Sequence, residues 1–200
     1  MLVLLTGGAR SGKSSWAERI ARKREEEVGS QVCYLATARA GDSEMEERIT
    51  IHQDRRPDNW QTVEEPLHLA AAIKDAALKP ASTIILDCVT LLVTNWLLDW
   101  QDNDNPEKKE KLALNEIKTE IIEELETLLE IAADNDYLII AVSNEVGQGV
   151  VPPNSLGRLF RDLNGWINQW LAEKAQQKYL VVAGNMIDID KISTSKINLP

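Results

Sequence analysis

Residues 7–14 read GGARSGKS, three glycines spaced around a loop that closes on a lysine and a hydroxyl. The spacing G-x-x-x-x-G-K-S is the Walker A pattern, and each part has a task in holding phosphate. Gly7, Gly8 and Gly12 let backbone N–H groups turn toward one point, where an anion can sit. Lys13 brings a mobile positive charge for the outer phosphates, and Ser14 offers its hydroxyl to Mg2+. The start of the helix that follows adds its dipole. Gly7, Gly8, Ala9, Arg10, Ser11, Gly12, Lys13 and Ser14 are therefore expected to contact the nucleotide, GTP or ATP. An acid further along supports them: Asp87 closes the apolar run TIILD, where a P-loop enzyme needs a carboxylate to hold Mg2+ directly or through water.

The chain has two histidines, His52 and His68. His52 lies in MEERITIHQDRRPDNW with Arg48, Arg55 and Arg56 close in sequence. On a helix these side chains share adjoining faces, which suits anionic phosphates and keeps the imidazole neutral for nucleophilic attack. From spacing alone, a solvated charged helix with an incidental histidine is the plainer reading. His68, beside the apolar run LAAAI, reads as a packing residue.

These groups need a scaffold, and the rest of the chain supplies one. Residues 2–6 (LVLLT), 31–37 (QVCYLAT), 60–63, 83–87, 137–143 and 179–183 have strand length and apolar character. Between them run helical stretches: 13 to about 27, 43–56, 66–78, 89–100, about 106–133 and 154–174. Continuous apolar strands separated by helices predict an α/β fold with a mainly parallel sheet covered on both faces. In such sheets ligands bind beyond the carboxyl ends of the strands. That places residues 7–14, 36–39, 87–90 and 144–149 on one edge. Residues 1–200 read as one P-loop nucleotide-binding domain, with weak patterning from about 184 and disorder expected over 191–200.

The net charge of −10 and the lack of a dense Lys/Arg cluster argue against nucleic acid as a partner. No apolar run is long enough to span a membrane. Cys33 and Cys88 sit inside apolar runs and read as small buried hydrophobes of a reducing compartment. A cytoplasmic enzyme is expected.

Several segments, taken in order, resemble one family: GGARSGKS, LATA after the second strand, E-M-x-x-R-I-x-x-H-x-x-x-R-P-x-x-W-x-T-x-E, D-C-V-T-x-L-V-T-N, and SNEVGQGVVPPNSLGRLFRDLNGWINQWLA. It is the bifunctional adenosylcobinamide kinase / adenosylcobinamide-phosphate guanylyltransferase family of cobalamin biosynthesis, and the resemblance runs from Leu2 to about Val182. It implies two reactions. ATP or GTP phosphorylates the aminopropanol hydroxyl of adenosylcobinamide, and GMP then passes from GTP to that phosphate through a histidine-bound GMP. The motif match puts this histidine at His52, reversing the plainer reading.

The resemblance also implies guanine-nucleotide contacts at Ala36, Thr37 and Ala38, at Gln53, Asp54, Arg55 and Arg56, and at Glu64. Where family members often carry two adjacent histidines, this chain has Ile51 before His52. A P-loop NTPase fold with a RecA-like sheet, and a homo-oligomer that is a trimer in the family, complete the expectation. The 144–149 segment NEVGQG receives no role. Two competing readings need less: a P-loop kinase of another small alcohol that never forms a GMP adduct, and a non-catalytic nucleotide switch.

Overall fold

Seven strands form one sheet in the order β3-β2-β4-β5-β1-β6-β7. The computed structural model describes residues 1–39, 56–103 and 110–193. The strands are β1 (Leu2–Gly7), β2 (Val32–Ala36), β3 (Gln61–Glu64), β4 (Thr83–Asp87), β5 (Leu138–Asn144), β6 (Gln177–Val182) and β7 (Asn185–Asp188). The described helices are α1 (Lys13–Val28), α2 (Leu69–Asp75), α3 (Val89–Asn103), α4 (Glu110–Asp134), α5 (Ser155–Lys174) and α6 (Ile189–Ile192). All neighbours pair in parallel except β6 and β7, which form an antiparallel hairpin.

The alternation of side chains along each strand divides the core. Val3, Leu5, Val32, Tyr34, Ile85 and Ile140 point to the face covered by α1, where Ala17 and Ala21 meet them. Leu2, Leu4, Cys33, Leu35, Ile84, Leu86 and Ile139 point to the other face, under α2, α3, α4 and α5. The long helix α4 buries Ile117, Ile121, Leu125, Leu128 and Ala132, a helical repeat that holds it against this face. Helices thus cover both faces, and β5 lies between the P-loop strand β1 and the Asp87 strand β4. That inserted strand gives the RecA-like arrangement of a P-loop NTPase.

Two local outcomes differ from the sequence expectation. The helix expected from residue 66 begins at Leu69, because the Glu65 carboxylate accepts the Leu67 and His68 N–H groups at 2.9 Å each and holds them in a turn. Beyond residue 184 the chain is patterned after all. Ala183 (φ 49°) and Gly184 (φ 79°) make a two-residue turn with Val182 paired to Asn185. Positive φ at both central positions matches the twist of a hairpin. Most of the helix expected over 43–56, most of the polar 101–111 segment and residues 194–200 lie outside the described residues.

Candidate active site

The carboxyl ends of five parallel strands line up along one edge. Glu64 of β3 pairs with Ala36 of β2, and Ala36 with Asp87 of β4. Asn144 of β5 pairs with Gly7 of β1. Adjacent strands are about 4.8 Å apart, so Glu64 and Gly7 stand at opposite ends of a row roughly 19 Å long. Asp87 occupies the middle strand of the five.

At the Gly7 end, the loop needs its glycines for different reasons. Gly7 has φ 150°, and a Cβ there would lie 2.2 Å from the carbonyl oxygen of Val181. Gly12 has φ 103° and precedes α1 with no side-chain cap and no acid in the first helical turn. The first N–H groups of α1 are therefore left for an anion. Arg10 is exposed in a left-handed conformation, φ 57°. Gly8 and Ala9 are exposed, and Ser11 and Ser14 are partly buried.

Lys13 is buried, only 6% exposed. Its ammonium donates to the carbonyls of Gly7 (2.9 Å) and Gly8 (2.7 Å) and more weakly to Ser11 Oγ (3.4 Å). Burial lowers its pKa from the ordinary lysine value, and the nearby Asp87 carboxylate works against that shift. The hairpin turn clamps this loop from the side. Gly184 N–H donates to Ser11 O (2.9 Å), and the Trp16 indole donates to Gly184 O (2.8 Å).

Asp87 accepts a hydrogen bond from the Tyr34 hydroxyl through Oδ2. A carboxylate has two oxygens, and Tyr34 engages one. Asp87 and the Ser14 hydroxyl could hold a Mg2+ ion, which prefers hard oxygen ligands of this kind. Among the described residues no cluster of three His, Cys, Asp or Glu side chains could hold a metal.

Thr37 is fully buried. Its hydroxyl accepts from Cys88 N–H (2.9 Å) and donates to Cys88 O (2.7 Å), while its own N–H donates to Asp87 O (3.2 Å). Asn95 then holds Thr37 O at 2.8 Å. Ala36 is buried, Ala38 partly so, and Glu64 is exposed at the far end of the row. Arg56 lies with its guanidinium carbon 3.6 Å from the centre of the Tyr34 ring and donates to Thr62 Oγ1 at 3.3 Å. His52, Gln53, Asp54 and Arg55 lie outside the described residues.

Two features escaped the sequence reading. One is Tyr34, which touches both Asp87 and Arg56 but reads in QVCYLAT as a core aromatic. The other is the anchor beneath NEVGQG. Thr90 Oγ1 accepts Asn144 N–H (2.7 Å), and the Asn164 and Asn168 amides donate to Asn144 O at 2.8 and 3.0 Å. Ser143 donates to Asn168 Oδ1 at 2.5 Å, and Glu145 N–H donates to Gly7 O at 3.0 Å. The available signal was a pair of asparagines four apart on the otherwise apolar stripe of α5.

The chain is 40% identical over 186 residues to the bifunctional adenosylcobalamin biosynthesis protein CobU of Escherichia coli K12, covering 92% of this chain and 97% of that protein. It is 43% identical over 181 residues to the bifunctional adenosylcobalamin biosynthesis protein CobP of Pseudomonas aeruginosa, covering 90% and 92%. Among solved structures, a KaiC-like protein of Pyrococcus horikoshii aligns over 90% of this chain and 69% of its own, with a TM-score of 0.46 and 15% identity. With a family model matching residues 3–189, the P-loop edge just described belongs to a member of the cobinamide kinase / cobinamide phosphate guanyltransferase family.

Proposed function

We propose that this chain phosphorylates adenosylcobinamide at the P-loop and then transfers GMP to the product through His52. The observation that carries the reading is the P-loop with its buried Lys13, seated in a chain matched by the family over residues 3–189. Bifunctional cobinamide kinase and guanylyltransferase activity follows from that membership, and the assignment of residues is ours.

In the first reaction the aminopropanol hydroxyl oxygen attacks the γ-phosphorus of ATP or GTP. The bond to the β-phosphate bridging oxygen breaks, and the nucleoside diphosphate leaves. Lys13 and the loop N–H groups of residues 7–14 hold the outer phosphates and meet the charge spread over them in the transition state. Mg2+, held by Ser14 and Asp87, supplies further charge neutralisation on the phosphate oxygens when bound. Thr37, with its hydroxyl committed to the Cys88 backbone, fixes the end of β4 and so the direction of Asp87.

In the second reaction a neutral His52 nitrogen attacks the α-phosphorus of GTP, and pyrophosphate leaves. A phosphate oxygen of adenosylcobinamide phosphate then attacks the same phosphorus. The P–N bond breaks, freeing the imidazole and giving adenosylcobinamide-GDP. Splitting one displacement into two is the gain from a covalent nucleophile. Ala36, Thr37, Ala38, Gln53, Asp54, Arg55, Arg56 and Glu64 make up the guanine-nucleotide side of the site. The reading includes one domain, a cytoplasmic setting and a homo-oligomer, a trimer by family resemblance, which light scattering on the purified protein measures.

The test is retention of label on denatured protein after incubation with Mg2+ and α-labelled GTP. Acid-labile, alkali-stable label is expected from wild type, but none from His52→Ala and none with γ-labelled GTP. Folded, nucleotide-binding wild type that takes up no label would sink the covalent route and leave a kinase alone.

A further inference from the structure

Along the ligand edge, the groups assigned to phosphoryl transfer sit at the β1 end and those assigned to guanine at the β3 end, with Tyr34 on the strand between β3 and β4. Tyr34 is buried, only 2% exposed, on the face covered by α1. It is the residue that meets both groups. Its hydroxyl donates to Asp87 Oδ2, and its ring face carries the Arg56 guanidinium at 3.6 Å. Arg56 is the first described residue after the segment that holds His52, and it is pinned a second time by Thr62. Its Nε is buried and has no hydrogen-bond partner among the described residues.

A phenylalanine would satisfy the packing around this position as well as tyrosine does. A buried phenol has to place its hydroxyl, and here it places it on a carboxylate that the apolar core does not otherwise hold. The guanidinium on the ring face gains a cation–π contact with a buried ring. We propose that Tyr34 is a positioning residue joining the two sides of the site: its hydroxyl orients Asp87 for Mg2+, and its ring seats Arg56 on the guanine side. It rests on the assignment made above of Asp87 to Mg2+ and of Arg56 to the guanine side.

Outer partners of metal-binding carboxylates change metal affinity by about 10- to 100-fold when removed. The experiment titrates Mg2+ into protein with a fluorescent GTP analogue and compares wild type, Tyr34→Phe and Asp87→Asn. Tyr34→Phe keeps the ring, so nucleotide binding in EDTA should stay within about twofold while the Mg2+ midpoint rises by about 10-fold or more. Asp87→Asn should remove most of the Mg2+ response. A Tyr34→Phe midpoint within twofold of wild type, beside an impaired Asp87→Asn, overturns the role of the hydroxyl while leaving the Asp87 assignment intact. An unaffected Asp87→Asn overturns both.

The ring is tested separately, by affinity for the fluorescent GTP analogue in EDTA, where the hydroxyl's role through Mg2+ is absent. Tyr34→Leu removes the ring and should weaken binding by about 10-fold, while Tyr34→Phe, which keeps it, stays within about twofold. Because the ring acts through Arg56, adding Tyr34→Leu to Arg56→Met should weaken binding by no more than about twofold beyond Arg56→Met alone. A folded Tyr34→Leu that binds like Tyr34→Phe, or a fully additive double variant, overturns the seating role.

Discussion

The ammonium of Lys13 donates to the carbonyl oxygen of Gly8 at 2.7 Å, so the loop that binds phosphate also holds its own lysine. Carbonyls of Gly7 and Gly8 solvate a charge that is otherwise buried. An arriving phosphate offers the same ammonium a full negative charge, and charge-assisted bonds of that kind are about twice as strong as neutral ones. On the proposed reading, the lysine is stored next to where it would be used.

Replacing Lys13 with methionine separates activity from folding. Methionine has a similar volume and removes a buried charge, and such replacements are often neutral or stabilising. Lys13→Met should keep the melting temperature at or above wild type while phosphoryl transfer falls by about 100-fold or more. Parallel thermal melts and kinase assays decide it. A large loss of stability would mean that the ammonium–carbonyl contacts hold the loop together.

The lowered pKa of Lys13 has a sign that calorimetry can read. Its folded value lies below the ordinary 10.5, so between the two the unfolded chain binds more protons and stability rises with pH. The cost of burying the charge is present at neutral pH and is relieved as pH climbs through the folded value. Phosphates favour the ammonium and raise that value again. ATP binding should then take up protons between the lowered value and 10.5, and much less at neutral pH, seen as a dependence of binding heat on buffer ionisation enthalpy that grows as pH rises toward 10.5. Equal heats in all buffers across that range would count against it.

How much of this was legible in the sequence depends on whether one residue carries its signal alone. GGARSGKS does, because the loop is local and each residue acts within eight positions. TIILD does too, since a buried strand that ends in an acid marks both its edge and its end. Tyr34 does not. In an apolar run an aromatic is expected to pack, and only the parallel register of β2 with β4 brings its hydroxyl to Asp87. Thr37 adds a second case: the sequence places it beside the nucleotide at a strand end, and only the fold shows its hydroxyl turned inward onto Cys88. The β6–β7 hairpin was hidden because Ala183 occupies a left-handed position where Asn or Asp would have announced the turn.

Both thiols should be silent in the folded protein. Burial pushes Cys33 and Cys88 up to about 12, above the ordinary 9.0, so neither is a thiolate at pH 8. A chromogenic disulfide reagent should count no reactive thiol in native protein and two in denaturant. The linkage runs opposite to that of Lys13. Each group's contribution is complete below pH 9 and is lost as pH rises toward 12, because the folded chain then holds the extra protons. Rapid native labelling at pH 8 would refute the buried, protonated state.

Gly7 and Gly8 are neighbours with opposite tolerance for a side chain. A Cβ at Gly7 would fall 2.2 Å from the Val181 carbonyl, a backbone atom of the adjacent strand that cannot swing aside, and φ 150° adds strain. A Cβ at Gly8 would meet nothing within 4 Å. Gly7→Ala should therefore cost about 3 kcal/mol or more of folding stability, because β6 must move away from β1 and take the Gly184 clamp with it. Gly8→Ala should stay within about 1 kcal/mol of wild type. Chemical denaturation of the two variants measures the contrast. Near-equal midpoints would show that β6 yields easily and that the hairpin does not brace the phosphate loop.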